Sequence, residues 1–313
     1  MTTALICPGQ GSQTLGMGKP LAESFSAAKE VFQEVDDALS QKLSAIMWGE
    51  DEAELTRTAN AQPAIMACSV AALRVLEQEC GFDVSKMAFV AGHSLGEYSA
   101  LTAAKAFSLA DAAKLLRIRG DAMQAAVPEG QGGMAAIIGL SLEDVDQIAI
   151  EAAGVDEICD VANDNSPGQV VISGSAKGIE AAMELAKTKG AKRALPLPVS
   201  APFHSSLMSP AAEIMREALD KAEVHDPVVP VMANVTAAPA QAANDIRDLL
   251  VRQVTGRVRW VESVEAMAAA GVTSMLEVGH GNILAGLVRR INKEIAVTNI
   301  GKPEDLESFA KAA

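Results

Sequence analysis

A strand–turn–helix around Gly92-His93-Ser94-Leu95-Gly96 constrains the fold of this chain most strongly. The apolar run at residues 86–91 predicts a short buried strand, and residues 95–106 predict a helix. The Gly-x-Ser-x-Gly pattern is typical of a serine held on a tight turn, where flanking glycines let neighbouring backbone pass without a clash. The helix start adds unpaired N–H groups and a positive dipole end, which suit a developing oxyanion. We therefore expect Ser94 to be a nucleophile.

Alternating strands and helices surround this turn on both sides. Residues 3–7 predict a strand that ends in the glycine-rich loop Pro8-Gly9-Gln10-Gly11-Ser12-Gln13. Apolar positions at helical spacing predict helices over residues 20–39, 62–79 and 109–127. Such alternation is typical of an α/β fold with a mostly parallel sheet that is covered on both faces.

Residues 130–198 follow a different pattern. Strands are predicted over 133–140, 156–162, 169–173 and 192–197, and helices over 141–153 and 177–189. This β-α-β-β-α-β order is the split-βαβ arrangement, which can form a small sheet of its own. We therefore predict a small subdomain over residues 130–198, inserted into a large subdomain formed by residues 1–129 and 199–313.

The second part of the large subdomain resumes the alternation. Strands are predicted over residues 228–234 and 273–278, and helices over 245–255 and 283–291. The C-terminal end is expected to be loosely held.

Composition limits the classes of function that fit this chain. Of its 313 residues, 49% are hydrophobic and 21% charged, so the chain can bury a large core. No run reaches about eighteen uncharged apolar residues, which argues against a membrane protein. The formal charge of −14 argues against nucleic acid as a partner, because phosphate binding needs a basic face. The four cysteines show no C-x-x-C spacing, which predicts neither disulfides nor a zinc site and favours a reducing cytoplasm.

An acidic protein partner would need a local basic patch on this acidic chain. The richest candidates are three clusters, formed by Arg252, Arg257 and Arg259, by Arg289, Arg290 and Lys293, and by Lys189, Lys192 and Arg193. Each cluster also fits an ordinary solvated surface.

A serine hydroxyl needs a base within hydrogen-bonding reach to act as a nucleophile. The four histidines are His93, His204, His225 and His280. His93 directly precedes Ser94, which directs its side chain away from the hydroxyl, and His225 lies in a polar stretch typical of a surface. His204 follows the inserted subdomain closely, and His280 lies in a glycine-rich turn. Position alone ranks His204 first as the base and leaves His280 as the alternative.

Seven short motifs occur in an order that resembles a known family. They are Gly9-Gln10-Gly11-Ser12-Gln13, Gln62-Pro63, Gly92-His93-Ser94-Leu95-Gly96-Glu97-Tyr98, Arg117-x-Arg119-Gly120, Asn165-Ser166-Pro167-Gly168-Gln169, Ser200-x-Pro202-x-His204 and Gln253-x-Thr255. Together they resemble the malonyl-CoA:acyl carrier protein transacylases of bacterial fatty acid synthesis, over residues 4–290. The resemblance implies an α/β-hydrolase-like core with an inserted ferredoxin-like subdomain. We expect a monomer.

The resemblance also implies roles for individual residues. Ser94 is then the acyl-accepting nucleophile and His204 its general base, and the backbone N–H groups of Gln10 and Leu95 form the oxyanion hole. The backbone carbonyl of Gln253 orients the histidine in place of a triad carboxylate, so the side chain of Gln253 is expected to matter less than its position. No metal or other cofactor is expected beyond the coenzyme A thioester and phosphopantetheine substrates.

Arg119 is expected to define the substrate. Malonyl-CoA carries a free carboxylate at the end of its acyl group, and an arginine fork grips a carboxylate with two charge-assisted hydrogen bonds. A buried arginine also rejects acetyl groups, because its charge would stay unpaired. The expected reaction transfers the malonyl group from malonyl-CoA to the phosphopantetheine thiol of acyl carrier protein, an acidic partner, through a malonyl-Ser94 ester.

Other functions share parts of this pattern. A serine thioesterase or esterase also contains Gly-x-Ser-x-Gly, but its histidine usually comes late in the chain, which would require His280. A catalytically silent module that binds carrier protein would form no covalent intermediate. An acyltransferase that serves polyketide synthesis would carry out the same chemistry on a different carrier.

Overall fold

The computed structural model describes residues 2–312 as two β-sheets and the helices that cover them. Within those residues the strands are β1 (Thr3–Cys7), β2 (Phe89–Gly92), β3 (Gly132–Ile138), β4 (Cys159–Ser166), β5 (Gln169–Ser175), β6 (Arg193–Pro196), β7 (Val231–Ala233), β8 (Ala238–Ala240), β9 (Val258–Arg259), β10 (Ser274–Val278) and β11 (Ala296–Ile300). The α-helices are α1 (Lys19–Ser24), α2 (Ser26–Leu39), α3 (Leu43–Met47), α4 (Glu52–Thr56), α5 (Thr58–Cys80), α6 (Gly96–Ala103), α7 (Leu109–Ala126), α8 (Leu142–Ala153), α9 (Ala176–Thr188), α10 (Ser209–Lys221), α11 (Ala243–Thr255), α12 (Trp260–Ala269), α13 (Ile283–Ile291) and α14 (Pro303–Ala312).

The larger sheet has the strand order β11-β10-β1-β2-β7-β8 and is parallel except for the β7–β8 pair. This order confirms the predicted α/β class with a mostly parallel sheet. In the register of β1 and β2, Cys7 lies opposite Gly92. The loops that carry Gln10 and Ser94 therefore leave the same edge of the sheet, because parallel strands end on the same side.

Helix α5 lies in the larger hydrophobic core, beside the large sheet, and packs against α2 and α7. Among residues 2–312 it is the one helix whose length and composition would allow a membrane crossing, but 89% of its most apolar window is buried inside the protein. Burial on nearly all sides accounts for a helix that is apolar around its circumference.

The smaller sheet has the strand order β6-β3-β5-β4-β9. Its first four strands pair antiparallel and come from residues 130–198, in the predicted β-α-β-β-α-β order. Strand β9 joins β4 in parallel from outside that range, so the small sheet is wider than the sequence predicts. The subdomain boundaries remain a prediction, and the ends of the predicted large subdomain, Met1 and Ala313, lie outside the described residues.

Side chains of the small sheet alternate between two cores. On β3, Ala135 and Ile137 pack with α8 and α9, whereas Met134 and Ala136 belong to the large core. On β5, Ile172 packs with the helices and Val171 with the large core. The small sheet thus presents one face to its own helices and the other to the large sheet's layer.

Three local predictions are corrected. The strand predicted from residue 86 begins at Phe89, because Val84–Lys86 form a 3₁₀ turn capped by the Asp83 side chain. The helix predicted over residues 20–39 is split into α1 and α2 at Phe25, whose backbone is extended. Near the C-terminal end, residues 303–312 form helix α14, whose Phe309 packs edge-on against Phe82, where the sequence predicted no regular structure.

Candidate active site

Ser94 stands on the sharp turn between β2 and α6, with its backbone in the left-handed region at φ +54°. A Cβ at Gly92 would lie 1.9 Å from the carbonyl oxygen of Gly96, and one at Gly96 would lie 2.4 Å from that of Cys7. The two glycines are therefore required where backbone approaches this closely. A left-handed conformation is costly for a residue other than glycine and persists only where the surroundings hold it.

His204 lies next to the Ser94 hydroxyl, with 2.7 Å between its Nε2 and the serine Oγ. Its Nδ1 is 2.8 Å from the carbonyl oxygen of Gln253 and 3.1 Å from that of Gly256. Because carbonyl oxygens only accept hydrogen bonds, Nδ1 carries the proton and Nε2 presents its lone pair to the hydroxyl. Burial, and next the positive charge of Arg119, lower the pKa of His204 to about 3. The imidazole is therefore neutral near pH 7, as a general base requires.

Among the described residues, the other three histidines make no hydrogen bond with the Ser94 hydroxyl. His280 contacts the Thr14 hydroxyl at 2.8 Å and does not line the cavity around Ser94, so the structure brings His204 rather than His280 to the serine. His225 is 60% exposed, as expected. His93 lines the cavity, but its Nε2 lies 2.7 Å from Oδ1 of Asn165 on the small sheet rather than at the serine.

Arg119 is almost fully buried beside the serine. Its Nη1 donates to Oε1 of Gln62 at 2.7 Å, and its Nη2 donates to the Ser94 Oγ at 3.1 Å and to Oε1 of Gln253 at 2.9 Å. Within residues 2–312, none of its hydrogen-bond partners is a carboxylate, and its Nε has no partner. A buried guanidinium held only by neutral acceptors favours the arrival of an anion.

Gln253 supplies the carbonyl oxygen that faces His204, at the position implied by the sequence. Its side chain is more involved than predicted: Nε2 donates to the Ser94 carbonyl oxygen at 2.9 Å and to Oε2 of Glu97 at 2.8 Å. The same amide accepts from Arg119 through Oε1. Both the backbone carbonyl and the side chain of Gln253 therefore belong to the hydrogen-bond network of the site, and the lesser importance of the side chain stays a prediction.

The two residues whose backbone N–H groups are assigned to an oxyanion hole belong to the two loops at this edge of the large sheet. Gln10 lines the cavity, and Leu95 directly follows Ser94 at the start of α6. Among the described residues, neither backbone N–H donates a hydrogen bond. Unpaired N–H groups of this kind suit the stabilisation of a tetrahedral oxyanion.

A cavity of ≈470 Å³ opens at Ser94, and residues from both the large and the small sheet regions line it. The small sheet contributes Met134, Val171, Asn163 and Asn165 to its wall. The two asparagines lie on β4 where its register with β5 is irregular, and such bulges re-aim side chains near active sites. In the part of the chain that the structure describes, no cluster of three or more His, Cys, Asp or Glu side chains could hold a metal ion.

Three residues of the site were given no role by sequence reasoning: Gln62, Glu97 and Asn234. Gln62 and Glu97 belong to the short motifs quoted above, so the sequence could have indicated that they lie at the site. Asn234 follows the short strand β7, and its Oδ1 accepts from the Ser94 backbone N–H at 2.7 Å. A contact across 140 positions of sequence leaves no local pattern that could have predicted it.

A strained serine beside a neutral histidine, on an α/β fold, is an arrangement typical of proteins with an activated serine nucleophile. The acyl transferase domain family matches residues 4–304. A malonyl CoA-acyl carrier protein transacylase of Bacillus subtilis (strain 168) is 47% identical over 304 residues, covering 97% of this chain and 95% of the relative. The transacylase of Escherichia coli (strain K12) is 45% identical over 300 residues, covering 96% of each chain. This chain therefore belongs to the acyl transferase family and, within it, to the malonyl CoA-acyl carrier protein transacylases.

Solved structures agree with this assignment. The acyl-carrier-protein-S-malonyltransferase from Bartonella henselae superposes with a TM-score of 0.97 at 55% identity, covering 100% of this chain and 99% of that one. A malonyl-transacylase in complex with its type II PKS acyl-carrier protein gives a TM-score of 0.96 at 42% identity, covering 100% of both chains.

Proposed function

We propose that this protein transfers the malonyl group from malonyl-CoA to the phosphopantetheine thiol of acyl carrier protein through a malonyl-Ser94 ester. One observation carries the proposal: the Ser94 Oγ lies 2.7 Å from the His204 Nε2 and 3.1 Å from the Arg119 Nη2. The nucleophile is therefore next to a neutral base and next to a buried cation that has no carboxylate among its hydrogen-bond partners in the described residues.

The first half-reaction acylates the serine. His204 Nε2 takes the hydroxyl proton as Ser94 Oγ attacks the thioester carbonyl carbon, and the N–H groups of Gln10 and Leu95 stabilise the oxyanion. When the tetrahedral intermediate collapses, the carbon–sulfur bond breaks and coenzyme A leaves, with the proton returned by His204. The carbonyl groups of Gln253 and Gly256 hold the histidine and stabilise its transient positive charge.

The second half-reaction reverses these roles. His204 takes the proton of the incoming phosphopantetheine thiol, and the sulfur attacks the ester carbonyl carbon. The bond to Ser94 Oγ breaks, and the serine recovers its proton. Each proton is held by the same imidazole, so the enzyme returns to its starting state after one malonyl transfer. Ping-pong kinetics follow from the covalent intermediate.

Arg119 selects the acyl group in this proposal. The terminal carboxylate of the malonyl group takes the place of neutral partners on the guanidinium, forming two charge-assisted hydrogen bonds. An acetyl group leaves that charge with neutral partners only. The preference for malonyl thus arises from the anion, not from the size of the cavity.

The position of the histidine favours transfer over the serine-hydrolase alternative. A hydrolase of the usual chain order would rely on a late histidine, and His280 lies against Thr14 rather than at Ser94. The polyketide alternative differs only in the carrier. Because one structural relative is bound to a type II PKS acyl-carrier protein, comparison of the two kinds of carrier as acceptors decides between these pathways.

Carrier docking requires a basic patch. Arg252, Arg257 and Arg259 each lie within 4.0 Å of a carboxylate oxygen, on Asp248, Asp146 and Glu262. The charge of these three side chains is locally neutralised, as is that of Lys189, which lies 2.7 Å from a carboxylate oxygen of Glu151. We therefore expect the carrier to use the remaining members of the other two clusters. Two double variants test this expectation: one reverses the charge of Arg289 and Arg290, and the other reverses that of Lys192 and Arg193. Only one of the two variants should have a raised KM for the carrier, and both should keep the wild-type KM for malonyl-CoA.

Three further expectations belong to this proposal. The chemistry uses groups of the chain and its two thioester substrates, with no other cofactor. The four cysteines are free, which fits the reducing cytoplasm predicted from their spacing. A monomer remains a prediction, and light scattering of the purified protein tests it.

Intact-protein mass spectrometry after incubation with malonyl-CoA tests the proposal. The wild type should gain the mass of one malonyl group, Ser94→Ala should gain none, and His204→Ala should gain it far more slowly. An unmodified wild-type protein would favour a silent binding module. Rapid acylation of the His204→Ala variant would move the role of base to another residue.

A further inference from the structure

Glu97 is a buried carboxylate that the two half-reactions do not use. It lies in the first turn of α6 and is 3% exposed. Its Oε2 accepts hydrogen bonds from Nε2 of Gln253 at 2.8 Å and from the backbone N–H of Asn234 at 3.1 Å. Burial raises the pKa of Glu97 to about 7, against the hydrogen bonds and the charge of Arg119, which lower it. Burial of a carboxyl group costs free energy unless the group is hydrogen-bonded. The hydrogen bonds of Glu97 all lead to groups around Ser94.

One branch from Glu97 reaches the backbone of the nucleophile. Asn234, whose backbone N–H binds Glu97, accepts from the Ser94 backbone N–H through Oδ1 and donates to the Gly92 carbonyl through Nδ2, both at 2.7 Å. The orientation of this amide is fixed, since an N–H can only donate and a carbonyl oxygen can only accept. These bonds hold the peptide groups on both sides of the turn whose Ser94 is at φ +54°.

The other branch reaches the substrate-selecting cation. Nε2 of Gln253 donates to Glu97 and to the Ser94 carbonyl oxygen, while Oε1 accepts from Nη2 of Arg119. The orientation of this amide is also fixed, because the guanidinium only donates and the carbonyl oxygen only accepts. Glu97 therefore lies one side chain away from both the Ser94 backbone and the Arg119 fork.

We propose that Glu97 is a positioning residue that sets the attacking serine and the carboxylate-binding arginine in one mutual geometry. It acts through Asn234 on the Ser94 backbone and through Gln253 on the guanidinium. The inference rests on the proposed function, because it assigns Glu97 a part in malonyl selection as well as in acylation. Removal of the carboxylate takes away one acceptor of Gln253 Nε2 and the acceptor of the Asn234 backbone N–H. The Gln253 amide is then held less firmly against Arg119, and the turn loses a support.

The test measures single-turnover acylation of Ser94 from malonyl-CoA and, separately, from acetyl-CoA, by rapid quench and intact mass. The ratio of the two rates does not depend on the fraction of active protein, so a loss of stability alone leaves it unchanged. Glu97→Ala should lower the malonyl-to-acetyl ratio about tenfold and slow both reactions, as expected for loss of hydrogen bonds to a charged group. Glu97→Gln should restore the ratio to within about threefold, because an amide oxygen can accept both bonds.

Glu277 provides the matched control. It is also a buried carboxylate, and its oxygens accept from the backbone N–H groups of Leu284 and Ala285 and from Asn299, away from the cavity. Glu277→Ala should lower the melting temperature and keep the wild-type ratio. Should Glu97→Ala not fold, Glu97→Asp keeps a carboxylate but withdraws it from both donors, and should lower the ratio in the same direction.

Two results would overturn the inference. The first is that folded Glu97→Ala or Glu97→Asp keeps the malonyl-to-acetyl ratio of the wild type. The second is that the ratio of Glu97→Gln is as low as that of Glu97→Ala. A wild-type protein that malonyl-CoA does not acylate at all is a different outcome, because it refutes the proposed function itself.

Discussion

The two sheets build the cavity in different ways. The layer of the large sheet supplies its floor, where Ser94, His204, Arg119 and Gln253 are linked by direct hydrogen bonds. The small sheet supplies a wall in which buried apolar side chains such as Met134 stand beside polar Asn165. The floor is a single polar network, and the wall is the face of the small sheet that is turned toward the large sheet's layer. Substitutions on the floor should therefore change rate and selectivity, whereas those on the wall should change mainly stability.

The largest effect is expected at the serine. Ser94→Ala removes the atom that carries the acyl group, so malonyl transfer should fall at least about 10³-fold in kcat. Circular dichroism should show an unchanged fold, since alanine lacks only the hydroxyl oxygen of serine. A variant that retains transfer would place the nucleophile elsewhere.

Arg119→Ala should give the next largest effect. Loss of two charge-assisted bonds to the carboxylate should lower kcat/KM for malonyl-CoA about 10²-fold, while acetyl transfer rises relative to it. Arg119→Lys should recover little, because an ammonium cannot reproduce the planar fork. If selectivity between malonyl-CoA and acetyl-CoA stays as in the wild type, the carboxylate is held by another group.

The wall should respond differently. Met134→Ala and Ile137→Ala both shorten buried side chains of β3, one facing the cavity and one facing α8 and α9. Each should lower the free energy of unfolding by about 2–5 kcal/mol in denaturant titrations. Acylation rates of the folded proteins should change less than about tenfold for Met134→Ala and hardly at all for Ile137→Ala. A loss of activity in Met134→Ala as large as that in Arg119→Ala would remove the distinction between floor and wall.

The smallest effect expected is a pH dependence of stability. The pKa of His204 is about 3 in the folded protein against 6.5 as its ordinary value, so below pH 6.5 the unfolded chain binds a proton that the folded protein does not. Stability from this group is therefore complete above pH 6.5 and is lost as the pH falls toward 3, by up to about 1.4 kcal/mol per pH unit. Urea titrations at pH 7 and pH 5 should show this extra loss in the wild type relative to His204→Gln. Equal losses in the two proteins would mean that the imidazole is not held neutral.

The sequence predicts the floor better than it predicts the network beneath it. Ser94, His204 and Arg119 fall in short motifs, and the bounds of β1 and α13 are as expected from their apolar patterns. The bridging side chains of Glu97, Gln253 and Asn234 could not be placed, because their partners are fixed by contacts between distant strands and helices. Strand β9 was missed for a similar reason: two residues that join a sheet begun elsewhere carry no periodicity of their own.

A pulse and chase of the acyl-enzyme tests the central claim most directly. Malonyl-Ser94 protein is formed with labelled malonyl-CoA, freed of coenzyme A, and divided between buffer alone and buffer with phosphopantetheine-bearing acyl carrier protein. The account predicts that the label stays on Ser94 in buffer and passes to the carrier thiol when the carrier is added. Release of free malonate at the same rate in both samples would contradict it and identify a hydrolase.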